Sequence, residues 1–185
     1  MKGTAFFATG VLSVLGGYVG GCLTVLLGGG SEQDAVAESL SGEGQISWLR
    51  ALEGGPLYLL LLLFCGLFFF GWVFVYPLVG YKAYGYGYTA GIFLSALGIR
   101  GLLPLGFCLF PSALAECLLL VYGAKEAFPQ SFALFSGLRE GGGNFFGGLR
   151  PYLLRALVLF QCSSFVLLWE VFLSPKILEA IGEML

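Results

Sequence analysis

The chain has 185 residues, 58% of them hydrophobic and 16% aromatic, with only 11% charged and a mean hydropathy of +0.90. That balance excludes a water-soluble domain and points to one compact integral membrane domain with lipid as its medium. The net charge of -2, on basic residues that are scattered rather than clustered, excludes nucleic acid as a partner.

A bilayer core of about 30 Å needs roughly 20 apolar residues per helix. By that measure the sequence predicts an all-α fold: a polytopic helical membrane protein of about five transmembrane helices, with six as the alternative. The first uncharged run is AFFATGVLSVLGGYVGGCLTVLL, residues 5–27. Val19 to Cys22 loosely match a lipoprotein cleavage box, but the run stays apolar through Leu27, where a mature lipoprotein turns polar, so it reads as a span. Gly16 with Gly20, and Gly17 with Gly21, stand four apart and offer two candidate helix-packing faces. Residues 28–55 then form an acidic extracytoplasmic loop, with Glu32, Asp34, Glu38, Glu43 and Glu53 against Arg50.

The second run, 56–80, carries no charge and is the strongest hydropathy signal. Directly after it comes VGYKAYGYGYTAGIF, residues 79–93, which reads as the tip of a helical hairpin. Gly80, Gly85, Gly87 and Gly91 would permit a tight turn, Tyr81, Tyr84, Tyr86 and Tyr88 suit the headgroup level, and Lys82 marks the inner side. A short third span follows at about 83–99. The fourth, 101–123, is interrupted by Pro104 and Pro111 and carries Glu116. A cytoplasmic loop is expected at 124–155, with 128–138 as an interfacial or re-entrant piece, and the last span at 156–173. With the N-terminus inside, this topology retains six basic residues in the cytoplasm (Lys2, Lys82, Lys125, Arg139, Arg150, Arg155) against three outside (Arg50, Arg100, Lys176).

Catalytic chemistry finds no constellation. Histidine is absent, the sole aspartate is Asp34, and the five cysteines (Cys22, Cys65, Cys108, Cys117, Cys162) lie in apolar runs without metal-ligand spacing. No catalytic, cofactor-binding or metal residues are expected, and in the predicted topology Glu116 and Glu170 lie at opposite ends of their spans. An ionisable group at membrane depth needs a partner in the bundle. A Lys82 to Glu116 pair is reachable if spans three and four fold back on span two. The alternatives are an ordinary flanking lysine and a protonated glutamate bonded to a neighbouring backbone.

KAYGYGYTAGIF resembles a lysine, glycine, Gly-Phe-Thr-x-Gly pattern of the stage II sporulation protein M family, membrane proteins of endospore-forming bacteria. Lys82, Gly87, Thr89 and Gly91 stand in its places, Tyr88 replaces the phenylalanine and Ala83 departs from the usual glycine. GIRGLLPLGFCLFPSALAECLLL is similar to a second block, in which a proline is followed five residues later by a glutamate, here Pro111 and Glu116; Ser112 stands where histidine is frequent. WEVFLSPKILEAI resembles the family ending, with Glu170, Phe172, Ser174 and Pro175 in place. The resemblance implies a scaffold of the engulfment machinery. It would sit in the mother-cell septal or engulfing membrane and anchor two peptidoglycan-degrading partners, the stage II sporulation proteins D and P. Broken helices and a buried glutamate also suit a small permease, and an intramembrane enzyme is the third and weakest reading.

Overall fold

The computed structural model describes residues 2–28, 55–98, 105–140, 148–173 and 176, and it is helical with no strand among them. The helices are α1 (Lys2–Gly28), α2 (Pro56–Cys65), α3 (Trp72–Leu97), α4 (Phe110–Glu140) and α5 (Leu149–Leu168). A π-helical turn, Leu105–Leu109, leads into α4, and another, Trp169–Leu173, continues α5. The expected acidic loop lies almost wholly outside the described residues, as do Ser174 and Pro175.

Two helices are long and apolar enough to cross a membrane, Ala5–Leu27 and Leu149–Phe172, fewer than the spans predicted. The difference begins at 56–80. This run breaks at Gly66 to Gly71, so α2 has only 10 residues. At 1.5 Å per residue that is about 15 Å, half of a bilayer core. Pro56 suits the first turn of α2, where its missing N–H costs no helix bond. The break is held by side chains from far along the chain. Ser131 Oγ accepts from the Trp72 N–H at 2.8 Å and donates to the Phe68 carbonyl at 2.5 Å, while the Tyr152 hydroxyl donates to the Leu63 carbonyl at 2.5 Å. Backbone groups freed at an apolar turn must be satisfied within the protein, and these three bonds do that.

The glycine-rich stretch 79–93 is therefore not a hairpin tip. It lies in the middle of the continuous helix α3. Likewise, residues 128–138 are not a separate interfacial piece but continue α4. Pro129 within α4 and Pro77 within α3 are carried without ending either helix.

The glycines of α3 serve packing. α1 and α3 lie side by side and parallel: a methyl group on Gly17 would collide with the Gly80 carbonyl oxygen, one on Gly21 with the Tyr84 carbonyl oxygen, and one on Gly87 with the Tyr18 carbonyl oxygen. Gly91 faces Cys22 and Val25. Of the two faces proposed on α1, Gly17 and Gly21 make the seam; Gly16 faces open space and Gly20 meets only the edge of the Tyr84 ring. Cys22 adds an Sγ–H donation to the Gly87 carbonyl at 3.1 Å. The expected tyrosine belt accordingly divides, Tyr81 facing outward and Tyr86 buried.

α4 runs antiparallel to both. The Phe6 and Phe128 rings meet at a tilt with centres 4.9 Å apart, Gly10 faces Val121, and Trp72 meets Ser131. α2 descends beside α4 in the same direction, with Leu59 and Leu62 against Gly123. α5 returns antiparallel to α4, its start at Gln130 and Glu126. Leu59, Leu62, Val75, Val79, Leu120, Val121, Ala124, Ala127 and Tyr152 form the core. By contrast, the apolar windows of α1 and α5 are only 11% buried, so most of their aliphatic surface faces outward.

Gly21→Ala should lower stability in detergent by about 1–3 kcal/mol through overpacking against backbone. Gly16→Ala should be neutral or stabilising by up to about 1 kcal/mol through helix propensity. Thermal unfolding of the two variants tests the seam. Ser131→Ala leaves the Trp72 N–H and Phe68 carbonyl unbonded and should cost about 1–3 kcal/mol in the same measurement.

Candidate functional site

Polar side chains from four elements meet near the start of α2. On α3, Lys82 and Tyr86 stand four residues apart and so share a face; on α4, Ser112 and Glu116 do the same. Glu170 enters from the π-turn that continues α5, and Gly55 with Tyr58 from the first turn of α2.

Glu116 is the centre. Its side chain is 2% exposed, and Lys82 Nζ lies 3.6 Å from its Oε2. The Tyr86 hydroxyl donates to the same oxygen. The Lys82 ammonium also stands 4.8 Å from the centre of the Tyr86 ring and 5.3 Å from that of Tyr58, so two aromatic faces and a carboxylate surround it. Oε1 of Glu116 is buried without a hydrogen-bond partner. It presses on Gly55, where any Cβ would collide with the carboxylate. No side chain caps α2. The positive end of that helix therefore adjoins an acidic group, a favourable placement.

Glu170 belongs to the same group, within electrostatic reach of Glu116 and Lys82 and hydrogen-bonded by Ser112. Ser112 Oγ also lies 3.1 Å from the Leu109 carbonyl in the π-turn. The expectation that Glu116 and Glu170 lie far apart is thus overturned. Because α4 continues to Glu140, Glu116 stands near its N-terminal end, which is where the antiparallel α5 terminates.

Of the residues singled out in the sequence, Lys82, Glu116 and Glu170 come together here. Pro111 stands at the junction of the π-turn with α4, one residue before Ser112. Gly87 and Gly91 lie on the α1 seam instead, and Thr89 donates back to the Gly85 carbonyl at 3.0 Å within its own helix. The sequence reading missed Tyr58, Tyr86, Ser112 and Gly55 as site residues. For Tyr86 and Ser112 a signal existed, since each is four residues from an ionisable residue in an apolar stretch, Lys82 or Glu116; Tyr58 and Gly55 reach the site only because α2 starts there.

A second polar region lies at the other end of the bundle. There Arg155 pairs with Glu126 at 2.6 Å beside a cavity of about 500 Å³ lined in part by Lys125, Gln130 and Tyr152. Among the described residues no group of three or more metal-ligating side chains occurs. No protein-family model, curated protein or solved structure matches the chain.

Removing one partner of a buried pair leaves an uncompensated charge, so Lys82→Met should cost about 3–5 kcal/mol. Lys82→Met with Glu116→Leu should recover most of that loss. A double-mutant cycle on unfolding in detergent reads the coupling.

Proposed function

We propose that the chain is a polytopic helical membrane protein that acts as a scaffold, anchoring peptidoglycan-degrading enzymes at the septal or engulfing membrane of a sporulating cell. One observation carries this reading. The three sequence blocks that resemble the stage II sporulation protein M family are separate in the chain, yet each sends a residue to one buried cluster: Lys82 from the first, Glu116 from the second, Glu170 from the third. Blocks of a single structural signature are expected to meet in this way.

The distribution of polarity supports the same reading. Ions and hydroxyls pair with one another inside the bundle, while α1 and α5 turn aliphatic faces outward, available to lipid or to partner helices. In this proposal α1, α3, α4 and α5 traverse the bilayer and α2 enters it to half its depth. The positions of Lys2, Lys125, Arg139, Arg150 and Arg155 fall at the end where α1 begins, which the distribution of basic residues assigns to the cytoplasm.

A specific observation favours a second reading, a small permease. α2 is a half-length helix whose N-terminal end adjoins buried Glu116, and half-helices whose N-terminal ends face a polar site are a feature of secondary transporters. The two readings differ in what the cell shows. A fluorescent fusion followed through asymmetric division in a spore-forming host should concentrate at the septum and engulfing membrane, with wall hydrolases recovered on pull-down. Uniform distribution in growing cells, no such partners and solute flux abolished by Glu116→Gln would establish the permease instead.

A further inference from the structure

The cavity beside the Arg155 to Glu126 pair lies between α4 and the first turns of α5, with Phe6 of α1 in its lining, and has a volume of about 500 Å³. Small-ligand sites span about 300–1,000 Å³. Pro129, Gly148, Pro151 and Arg155 of the lining are exposed, so the cavity opens to the surface.

Cations reach it from two helices. Lys125 on α4 has no ion-pair partner among the described residues; its ammonium stands 5.7 Å from the centre of the Tyr122 ring. Arg155 on α5 engages Glu126 through one nitrogen, Nη1, at 2.6 Å, and its guanidinium has further N–H groups to offer an oxyanion. The Gln130 amide lies against Gly148, where no side chain caps α5, so the positive end of that helix adds to the same rim. The remainder of the lining is apolar in character. Tyr152 has its hydroxyl committed to the Leu63 carbonyl at 2.5 Å, and the Phe6 ring packs near Phe128.

An aliphatic strip begins at this rim. Leu154, Leu157 and Val158 of α5 are exposed, next to Arg155 and up to one turn beyond it. A free phosphate would use the cations alone, whereas an amphiphile with an anionic head would use the cations and the strip together.

We propose that this cavity binds the phosphodiester headgroup of an anionic phospholipid, with Lys125 and Arg155 on the phosphate oxygens and an acyl chain along α5. Basic pockets between membrane helices on the cytoplasmic side suit such headgroups. A guanidinium fork accepts carboxylate and phosphate in the same geometry, so Glu126 competes with the lipid for Arg155. The inference rests on the membrane reading given above, with this end of the bundle at the cytoplasmic surface, and is independent of the partners the protein anchors.

The test uses the full-length chain with phosphatidylglycerol and phosphatidylcholine. Flotation with pure phosphatidylcholine vesicles reads membrane insertion by itself. Native mass spectrometry of the chain released from mixed micelles then reads which lipid stays bound. The expected result is preferential retention of phosphatidylglycerol, weakened roughly fivefold by Lys125→Gln, the worth of one cation near a headgroup. Glu126→Gln, which frees Arg155, should strengthen retention, a gain that a merely misfolded variant does not produce. Inorganic phosphate should fail to displace the lipid. Equal retention of the two lipids, a preference that survives Lys125→Gln, or a loss with Glu126→Gln would overturn the inference. Displacement by inorganic phosphate would do so as well, assigning the cavity to a soluble anion. Failure to float removes the membrane reading and this inference together; flotation without lipid preference removes this inference alone.

Discussion

Keeping the Glu116 carboxyl inside an apolar bundle is the constraint to which the rest of the structure answers. It requires donors at its own depth, and these come from the face of α3 that carries Lys82 and Tyr86. It also adjoins the positive end of a helix, so α2 begins beside it at Gly55. A helix that starts there and returns into α3 has room for only a few turns. Hence the break at Gly66 to Gly71, and hence the need for Ser131 and Tyr152 to bond the backbone that the break exposes. The ion cluster and the interrupted helix are two parts of one solution.

The α1 seam plays the complementary role. Gly80, Gly87 and Gly91 lie on one side of α3, and Val75, Val79, Lys82 and Tyr86 lie on the other, as a period of 3.6 residues dictates. Close approach of α1 on the glycine side leaves the opposite side to α4 and α2. Without side chains on that seam the two backbones touch, which maximises van der Waals contact between the helices. α3 is thus held from one side by shape and from the other by charge.

Among the described residues, Glu116 and its partners face inward and much of the apolar surface of α1 and α5 faces outward. These two helices present long exposed apolar faces. Exposed aromatic side chains at the α2–α3 turn, Phe68, Phe69 and Phe70, extend the apolar surface to the end of the bundle that carries Lys125 and Arg155. The buried cluster lies toward the opposite end, near the finish of α5. Glu170 is the member of the cluster that the π-turn there supplies.

The sequence by itself determined the helical class, the two long apolar helices at either end of the chain, and the possibility that Glu116 pairs with Lys82, because hydropathy, period and the cost of buried charge are local properties of the chain. It also named the glycine pairs of α1, without indicating that Gly17 and Gly21, and not Gly16 and Gly20, would face a neighbour. What it misplaced was connectivity in space. The uncharged run from 56 to 80 holds Gly66 and Gly71 where the helix breaks, but nothing in it shows what bonds the freed backbone, since those groups are Ser131 and Tyr152, contributed by α4 and α5. Glycines in 80–91 can serve a turn or a close helix contact, and only the matching face on α1 decided for the contact. Extension of α4 to Glu140 then brought Glu116 and Glu170 to the same end of the bundle. Which residues are near one another is a property of the packed helices, and only the tertiary structure could decide it.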